Sequence, residues 1–235
     1  MGADNFVSRK QEKQRMSKMR KTRWIAAVLL AVMLLTLCGC KSQEQIEEEV
    51  HNALRGSWRA SIGCSRQTTQ DLLDNIDLYD QERELLDFGG PQLVKIAHFA
   101  DGTYRFEVDT DAVWDNVRAF YDKVFSVLYE NRTKLNTLYN KTFDDMAEAD
   151  FKTFYAELYG HADYETMLSA LTDAAFDYEA MNVVETGTYT VEDEDMIYCE
   201  PNESHASAGT LRVSVRGDGL NIAFAGGDEA YTRIP

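Results

Sequence analysis

The 235-residue sequence predicts an α+β fold, in which an eight-stranded antiparallel barrel or meander carries a helical insertion between its third and fourth strands. The first observation is a set of eight short segments in which apolar and polar residues alternate, most of them joined by tight turns. The second is a change of the apolar period to three and four residues in the middle of the chain, which indicates amphipathic helices. The third is the strand count, because an up-and-down sheet of eight strands can close into a barrel.

Three strands are predicted before the insertion. Apolar residues recur at every second position in Gly56–Cys64, which is typical of a strand with one buried face. The next two strands, Leu93–Phe99 and Thr103–Val108, flank Asp101-Gly102, and Asp-Gly between alternating runs is a strong hairpin signal.

A helical segment is predicted between the first and second strands. In Thr69–Leu86 apolar residues are interspersed with acidic ones, so we expect one helix or two short helices there.

The insertion covers about residues 110–182 and contains three predicted helices. The first runs from Asp111 to about Leu138, where apolar residues recur at spacings of three and four. The second includes Phe151–Leu158 and ends at Gly160, a typical residue after the last helical turn. The third covers Tyr164–Tyr178.

The remaining strands form two hairpins and one last strand. Alternating residues and glycine-containing or acidic turns separate them. The five strands are predicted at Gly187–Val191, Met196–Cys199, Leu211–Val215, Leu220–Phe224 and Ala230–Ile234.

The N-terminus has the pattern of an export signal. Eight Lys and Arg residues lie in residues 1–23 and are followed by the apolar stretch Trp24–Leu37. As a helix this stretch is about 21 Å long, short of the roughly 30 Å of a bilayer core. We therefore expect a signal helix that is removed, and the alternative is an uncleaved membrane helix.

The signal ends in Leu37-Cys38-Gly39-Cys40, which resembles the lipobox of bacterial lipoproteins. The resemblance implies removal of residues 1–39 as a lipoprotein signal peptide and a diacylglyceryl thioether on Cys40. Such an anchor would hold the protein on the outer face of the cytoplasmic membrane, at the cell surface, because two acyl chains suffice for stable attachment. Residues 40–54 are then expected to form an acidic tether, and residues 55–235 the barrel domain.

The charge of the exported part excludes one class of partner. Residues 1–39 contain eight of the 24 Lys and Arg residues and two of the 40 Asp and Glu residues, so residues 40–235 carry a net charge of −22. A chain this acidic is not expected to bind nucleic acid or an anionic membrane surface through its charge. The expected contact with the membrane is therefore the lipid on Cys40.

Five segments of the domain resemble lipocalin-like bacterial lipoproteins of unknown function. They are Gly56-Ser-Trp58, Phe99-Ala-Asp-Gly-Thr-Tyr104, Gly187-Thr-Tyr-Thr-Val191, Gly217-Asp-Gly-Leu220 and Tyr231-Thr-Arg-Ile234. These are signatures of turns and strands, so the resemblance implies a fold and assigns no catalytic or ligand-binding residue.

Residues with reactive side chains give little support to catalysis. Cys64 and Cys199 are the two cysteines beyond Cys40, and in an exported protein they suggest a disulfide, with two free thiols as the alternative. The four histidines are not at the spacing of metal ligands, and no known catalytic motif occurs. We therefore expect no enzyme activity, metal or cofactor.

The aromatic residues carry the functional hypothesis. We expect a pocket for a small hydrophobic ligand between the barrel and the helices, which would cap one mouth of the barrel. Its candidate residues are Trp58, Tyr104, Phe106, Trp114, Phe120, Tyr121, Phe154 and Tyr155. The alternative is a structural or protein-interaction lipoprotein with a filled barrel, whose partners would be envelope proteins.

Overall fold

The computed structural model describes residues 41–175, 181–202 and 208–235. The predicted signal peptide with its helix, residues 1–39, and the predicted lipidation site, Cys40, lie outside the described residues. So does the end of the third predicted helix, beyond Ala175. Residues 47–235 form one compact unit.

Helix α1 (Gln43–Leu54) is the first described element. At its start the backbone N–H of Gln45 donates to Ser42 Oγ at 3.2 Å, and the side chain of Gln45 accepts from the N–H of Ser42 at 3.1 Å. This reciprocal pair stabilises the first turn. Near the other end of α1 the side chains of Val50 and Leu54 are buried.

Eight antiparallel strands form a closed barrel in sequential order, with β1 paired to both β2 and β8. The α+β class and the eight-stranded antiparallel barrel predicted from the sequence are confirmed. The strands are β1 (Gly56–Gly63), β2 (Gln92–Ala100), β3 (Thr103–Val108), β4 (Val184–Asp193), β5 (Met196–Pro201), β6 (Gly209–Arg216), β7 (Gly219–Phe224) and β8 (Gly227–Ile234).

Two turns show why the hairpins form where the sequence predicts them. Asp101 and Gly102 both have positive φ, at 45° and 81°, as a tight turn between twisted strands requires. Gly217, between β6 and β7, has φ of 60°. Residues that adopt the left-handed region at low cost therefore fix the strand register.

Alternate residues of each strand face the inside of the barrel. Trp58 lies opposite Ala97, which in turn lies opposite Phe106 on β3, so these three side chains share the inner face. Much of the interior is filled by buried apolar residues. They include Trp58, Ala60, Ala97, Phe99, Tyr104, Tyr189, Ile197, Val213, Leu220 and Ile222.

Seven further helical segments are described, in two groups. Those between β1 and β2 are α2 (Arg66–Asp74) and α3 (Asp80–Arg83). Those between β3 and β4 are α4 (Thr110–Glu130), a 3₁₀ turn (Arg132–Leu135), α5 (Asn136–Tyr139), α6 (Glu148–Leu158) and α7 (Tyr164–Ala175).

The long helix predicted from Asp111 to about Leu138 ends earlier, at Glu130. The side chain of Asn131 donates to the carbonyl of Val127 at 3.0 Å, and the Arg132 guanidinium donates to the carbonyls of Tyr129 and Phe143. Side chains thus satisfy the last carbonyls of α4, which lets the chain turn there.

The helices share one apolar core, which packs on the outer surface of β2. Val94 of β2 belongs to the same buried cluster as Val117, Phe120 and Val124 of α4. Val94 lies on the opposite face of β2 from Ala97, so the helices cover the outside of the barrel there. Among the described residues no helix has the length and apolar character needed to cross a bilayer.

Candidate functional site

A pocket of about 280 Å³ lies at one mouth of the barrel, where β3 ends and β4 begins. We call this the pocket end, and the opposite end, where β1 begins and β8 ends, the α1 end. Val183 lies on the lining and is 62% exposed, so the pocket reaches solvent. Its lining residues are Lys95, Phe106, Glu107, Val108, Val183, Glu185, Phe224 and Tyr231.

The strand register explains how charged side chains come to lie in a barrel. Lys95 is opposite Val108, and Glu185 is opposite Phe106, so both charged residues share the inner face with apolar ones. Glu229 is opposite Ile222, which is fully buried. Three ionisable groups therefore point inward near the pocket end.

Aromatic rings form one wall of the pocket. The ring centroids of Phe106 and Phe224 are 5.7 Å apart with the planes at 75°, an edge-to-face arrangement. The ring of Tyr104 lies 5.1 Å from that of Phe106. The wall is therefore apolar, with the Tyr104 hydroxyl at its margin.

Gly187 makes room for the ring of Tyr104. A Cβ atom at position 187 would lie 2.6 Å from Cε1 of Tyr104 and 2.3 Å from the carbonyl oxygen of Glu200. The missing side chain therefore lets Tyr104 lie across β4, where its hydroxyl donates to Oε1 of Glu185 at 2.9 Å.

Lys95 is neutralised within the barrel. Its Nζ lies 2.5 Å from Oε1 of Glu229, and the hydroxyl of Tyr231 donates to Oε2 of Glu229 at 2.7 Å. Burial and the bond to Glu229 raise the pKa of Tyr231, so Tyr231 stays protonated and a donor. Lys95, Glu229 and Tyr231 thus form a charge-balanced group on the pocket wall.

Glu185 differs, because it has no cationic partner in the described part of the chain. Its side chain accepts a hydrogen bond from the neutral hydroxyl of Tyr104. Burial, followed by the charge of Glu185, raises the pKa of the Cys199 thiol to about 12, and burial and Glu185 also raise the pKa of Tyr104. Glu185 therefore favours the neutral, protonated forms of Cys199 and Tyr104.

The α1 end is sealed. Leu54 is fully buried, and its carbonyl accepts a hydrogen bond of 2.7 Å from Nε1 of Trp58. The guanidinium of Arg233 lies 4.1 Å from the centroid of the Trp58 ring and donates to the carbonyls of Ala53 and Arg55. Nδ1 of His51 is 2.8 Å from the hydroxyl of Tyr189. The end of α1 therefore closes this mouth.

The eight aromatic residues predicted to line one pocket are divided among three places. Phe106 lines the pocket and Tyr104 borders it through Glu185, whereas Trp58 seals the α1 end. The other five, Trp114, Phe120, Tyr121, Phe154 and Tyr155, belong to the core of the helices. The helices pack mainly on one another and on β2, and these five side chains are not among the residues that line the pocket described above.

The helical core contains a carboxylate of its own. Glu82 is fully buried and accepts hydrogen bonds from the hydroxyls of Tyr139, at 2.8 Å, and of Tyr155. The backbone N–H of Tyr79 donates to its other oxygen at 2.9 Å. These donors satisfy the carboxylate and tie α3 to α5 and α6, which is a structural role.

A Ser–His–Glu group lies on the outside of the barrel. Oγ of Ser57 is 2.8 Å from Nδ1 of His98, and Nε2 of His98 is 3.1 Å from Oε1 of Glu107. Burial alone would raise the pKa of Glu107, but Arg105 and His98 outweigh it and lower that pKa. Ser57 lies within β1, which pairs with a strand on each side. The backbone N–H groups near Ser57 therefore bond to neighbouring strands, and they are not available to stabilise an oxyanion as a serine hydrolase requires.

The expected bridge between Cys64 and Cys199 is not formed, and both thiols are free. Cys64 follows β1, and Cys199 lies in β5, four strands away in a closed ring of eight. Strands on opposite sides of a barrel do not bring Cα atoms within the roughly 4.4–6.8 Å that a disulfide needs.

Sequence reasoning missed Lys95, Glu185 and Glu229, although a signal for them exists. Each stands two residues from an aromatic or small residue of the inner face: Lys95 before Ala97, Glu185 before Gly187, Glu229 before Tyr231. Strict alternation along each strand would have placed these charges inside the barrel.

Within the described ranges, no three His, Cys, Asp or Glu side chains are grouped so that they could hold a metal ion. No protein-family model, no curated protein and no solved structure shows significant similarity to the chain.

Proposed function

We propose that the protein is a binding module that holds a small, mostly apolar ligand at the pocket end of a lipocalin-like barrel. The observation that carries the proposal is the pocket of about 280 Å³, with aromatic walls and a few polar groups. Ligand sites typically combine an apolar lining with a small number of polar groups that set orientation. Binding without catalysis is proposed, because the polar groups of the pocket include no activated nucleophile.

The size of the pocket limits the ligand. At about 280 Å³ it is close to the lower limit, about 300 Å³, of sites for small organic molecules. Liquid water takes about 30 Å³ per molecule, so the volume corresponds to a ligand of roughly ten non-hydrogen atoms. A long acyl chain would not fit within it.

A direct test is binding of 2-phenylethanol, a neutral probe of about nine non-hydrogen atoms, to the full chain in detergent, followed by ligand-detected NMR. Binding that is lost in Phe106→Ala and kept in Phe154→Ala is expected, because Phe106 lines the pocket and Phe154 belongs to the helical core. If neither this probe nor its charged analogues bind, the proposed function is wrong.

We also propose that the module is exported and lipid-anchored at Cys40, on the outer face of the cytoplasmic membrane. The support is the basic segment, the short apolar stretch and Leu37-Cys38-Gly39-Cys40. In this arrangement residues 1–39 are a signal helix that is removed, and residues of about 110–182 are an insertion in the barrel. Cys40→Ser should release the protein from membranes or leave an unprocessed precursor, whereas unchanged processing and acylation would refute the anchor.

A second function, a structural or protein-interaction lipoprotein, is favoured by two observations. Most of the barrel interior is filled, and Tyr79, Leu158 and Val183 are exposed by 54%, 50% and 62%. Exposed apolar residues on an envelope protein suit contact with another protein. Crosslinking at Leu158, which is not among the residues that line the pocket, would capture a specific partner under this alternative and none under the first.

A further inference from the structure

We propose that the pocket selects a small organic cation, with an ammonium group at Glu185 and an apolar body against the rings of Phe106 and Phe224. The inference rests on the proposed binding function and names the chemical class of its ligand. The three residues that carry it come from β4, β3 and β7, so the closed barrel brings them together.

The balance of charge in the pocket favours a cation. Lys95 is already paired with Glu229, at 2.5 Å, whereas Glu185 has only the Tyr104 hydroxyl and no cation among the described residues. An ammonium that enters therefore meets a carboxylate with acceptor capacity left. A carboxylate ligand would meet the charge of Glu185 and would have to compete with Glu229 for Lys95.

The aromatic wall adds a second preference for positive charge. Nζ of Lys95 lies 5.8 Å from the centroid of Phe224, so this ring already faces one ammonium group. Phe106 stands edge-to-face against Phe224 and presents apolar surface beside Glu185. An aromatic or branched aliphatic amine can therefore place its body on the rings and its charge at the carboxylate.

The experiment compares three probes of nearly equal size and different charge on the full chain in detergent. They are 2-phenylethylamine, 2-phenylethanol and phenylacetate, each with about nine or ten non-hydrogen atoms. Titrations followed by ligand-detected NMR should give the order amine, alcohol, carboxylate, with the amine at least about tenfold tighter than the alcohol.

The outcomes separate the two proposals. Equal or tighter binding of the alcohol or the carboxylate overturns the cation inference and leaves the binding function in place. Absence of binding for all three probes overturns both. The comparison needs no variant, so a folding defect cannot obscure it.

A pair of matched variants locates the charge. Glu185→Gln keeps an acceptor for Tyr104 and removes the negative charge, so amine binding should weaken about tenfold while alcohol binding changes little. Glu200→Gln makes the same change at an exposed position of β5 and should leave both affinities unchanged. Equal losses for amine and alcohol in Glu185→Gln would show that Glu185 acts on the shape of the pocket and not on ligand charge.

Discussion

At the α1 end of the barrel Leu54, Trp58 and Arg233 pack against one another, and their polar groups are paired with backbone carbonyls. At the pocket end the same eight strands leave a cavity, and Glu185 keeps acceptor capacity. Helix α1, which precedes β1, closes the α1 end. The helices that follow β1 and β3 do not close the pocket end, because their shared core packs on the outer surface of β2.

The difference teaches that a largely filled interior and an open pocket can coexist in one closed sheet. Burial of Trp58 and Ile222 stabilises the middle and the α1 end, so the pocket end can carry charged groups that do not contribute fully to stability. This division of roles predicts that substitutions at the α1 end change stability most and substitutions at the pocket end change binding most.

The largest effect is expected at the α1 end, for Trp58→Ala. The side chain is fully buried and bonded to Leu54, so the free energy of unfolding should fall by about 3–5 kcal/mol. Urea denaturation followed by circular dichroism measures it. A loss below about 1 kcal/mol would mean that α1 does not seal the barrel.

At the pocket end, Phe106→Ala should cost less stability, about 1–3 kcal/mol, because the ring is only partly buried. Binding of 2-phenylethylamine should be lost. The same denaturation and NMR titration measure both quantities. Comparable stability losses for Phe106→Ala and Trp58→Ala would break the proposed contrast between the two ends.

Gly187→Ala sharpens the comparison without removing a side chain. The new Cβ would meet Tyr104 and Glu200, so we expect a loss of about 1–3 kcal/mol and weaker amine binding as Tyr104 is displaced from Glu185. Gly209→Ala is the control, because its Cβ meets no atom within 4 Å. Similar effects at both glycines would contradict the role assigned to position 187.

Alkaline pH should loosen the α1 end. Burial raises the pKa of Tyr189 to about 12, above about 10 in an unfolded chain, so the folded state favours the protonated phenol. Its contribution to stability is fully present below pH 10 and is lost as the pH rises toward 12. Unfolding free energies between these values should fall less steeply in Tyr189→Phe than in the wild type, and equal slopes would exclude this cause.

The smallest effect concerns thiol reactivity. Cys199 is buried, with a pKa raised to about 12, and Cys64 is only partly buried. At neutral pH iodoacetamide should modify Cys64 first, and both thiols once the chain is denatured without reductant. Mass spectrometry of the peptides gives the order, and a linked Cys64–Cys199 peptide would contradict the barrel register.

Local signals in the sequence were enough to predict the positions of the strands and of most helices. Asp101-Gly102 and Gly217 mark turns whose backbone only certain residues adopt, so their hairpins could be predicted. The candidate site could not be predicted, because Trp58 and Phe106 follow the same alternation and share one row of the sheet, although Trp58 packs against α1 and Phe106 lines the pocket. Which end a helix covers depends on packing between distant segments, and Glu185 acquires its character only from neighbours on other strands.

The most direct measurement is an experimental structure of the full chain with 2-phenylethylamine. We expect the phenyl ring of the amine against Phe106 and Phe224, its ammonium within hydrogen-bond distance of Glu185, and the α1 end closed over Trp58. A structure in which side chains fill the pocket and exclude the amine, or in which the amine binds elsewhere on the chain, would contradict this expectation.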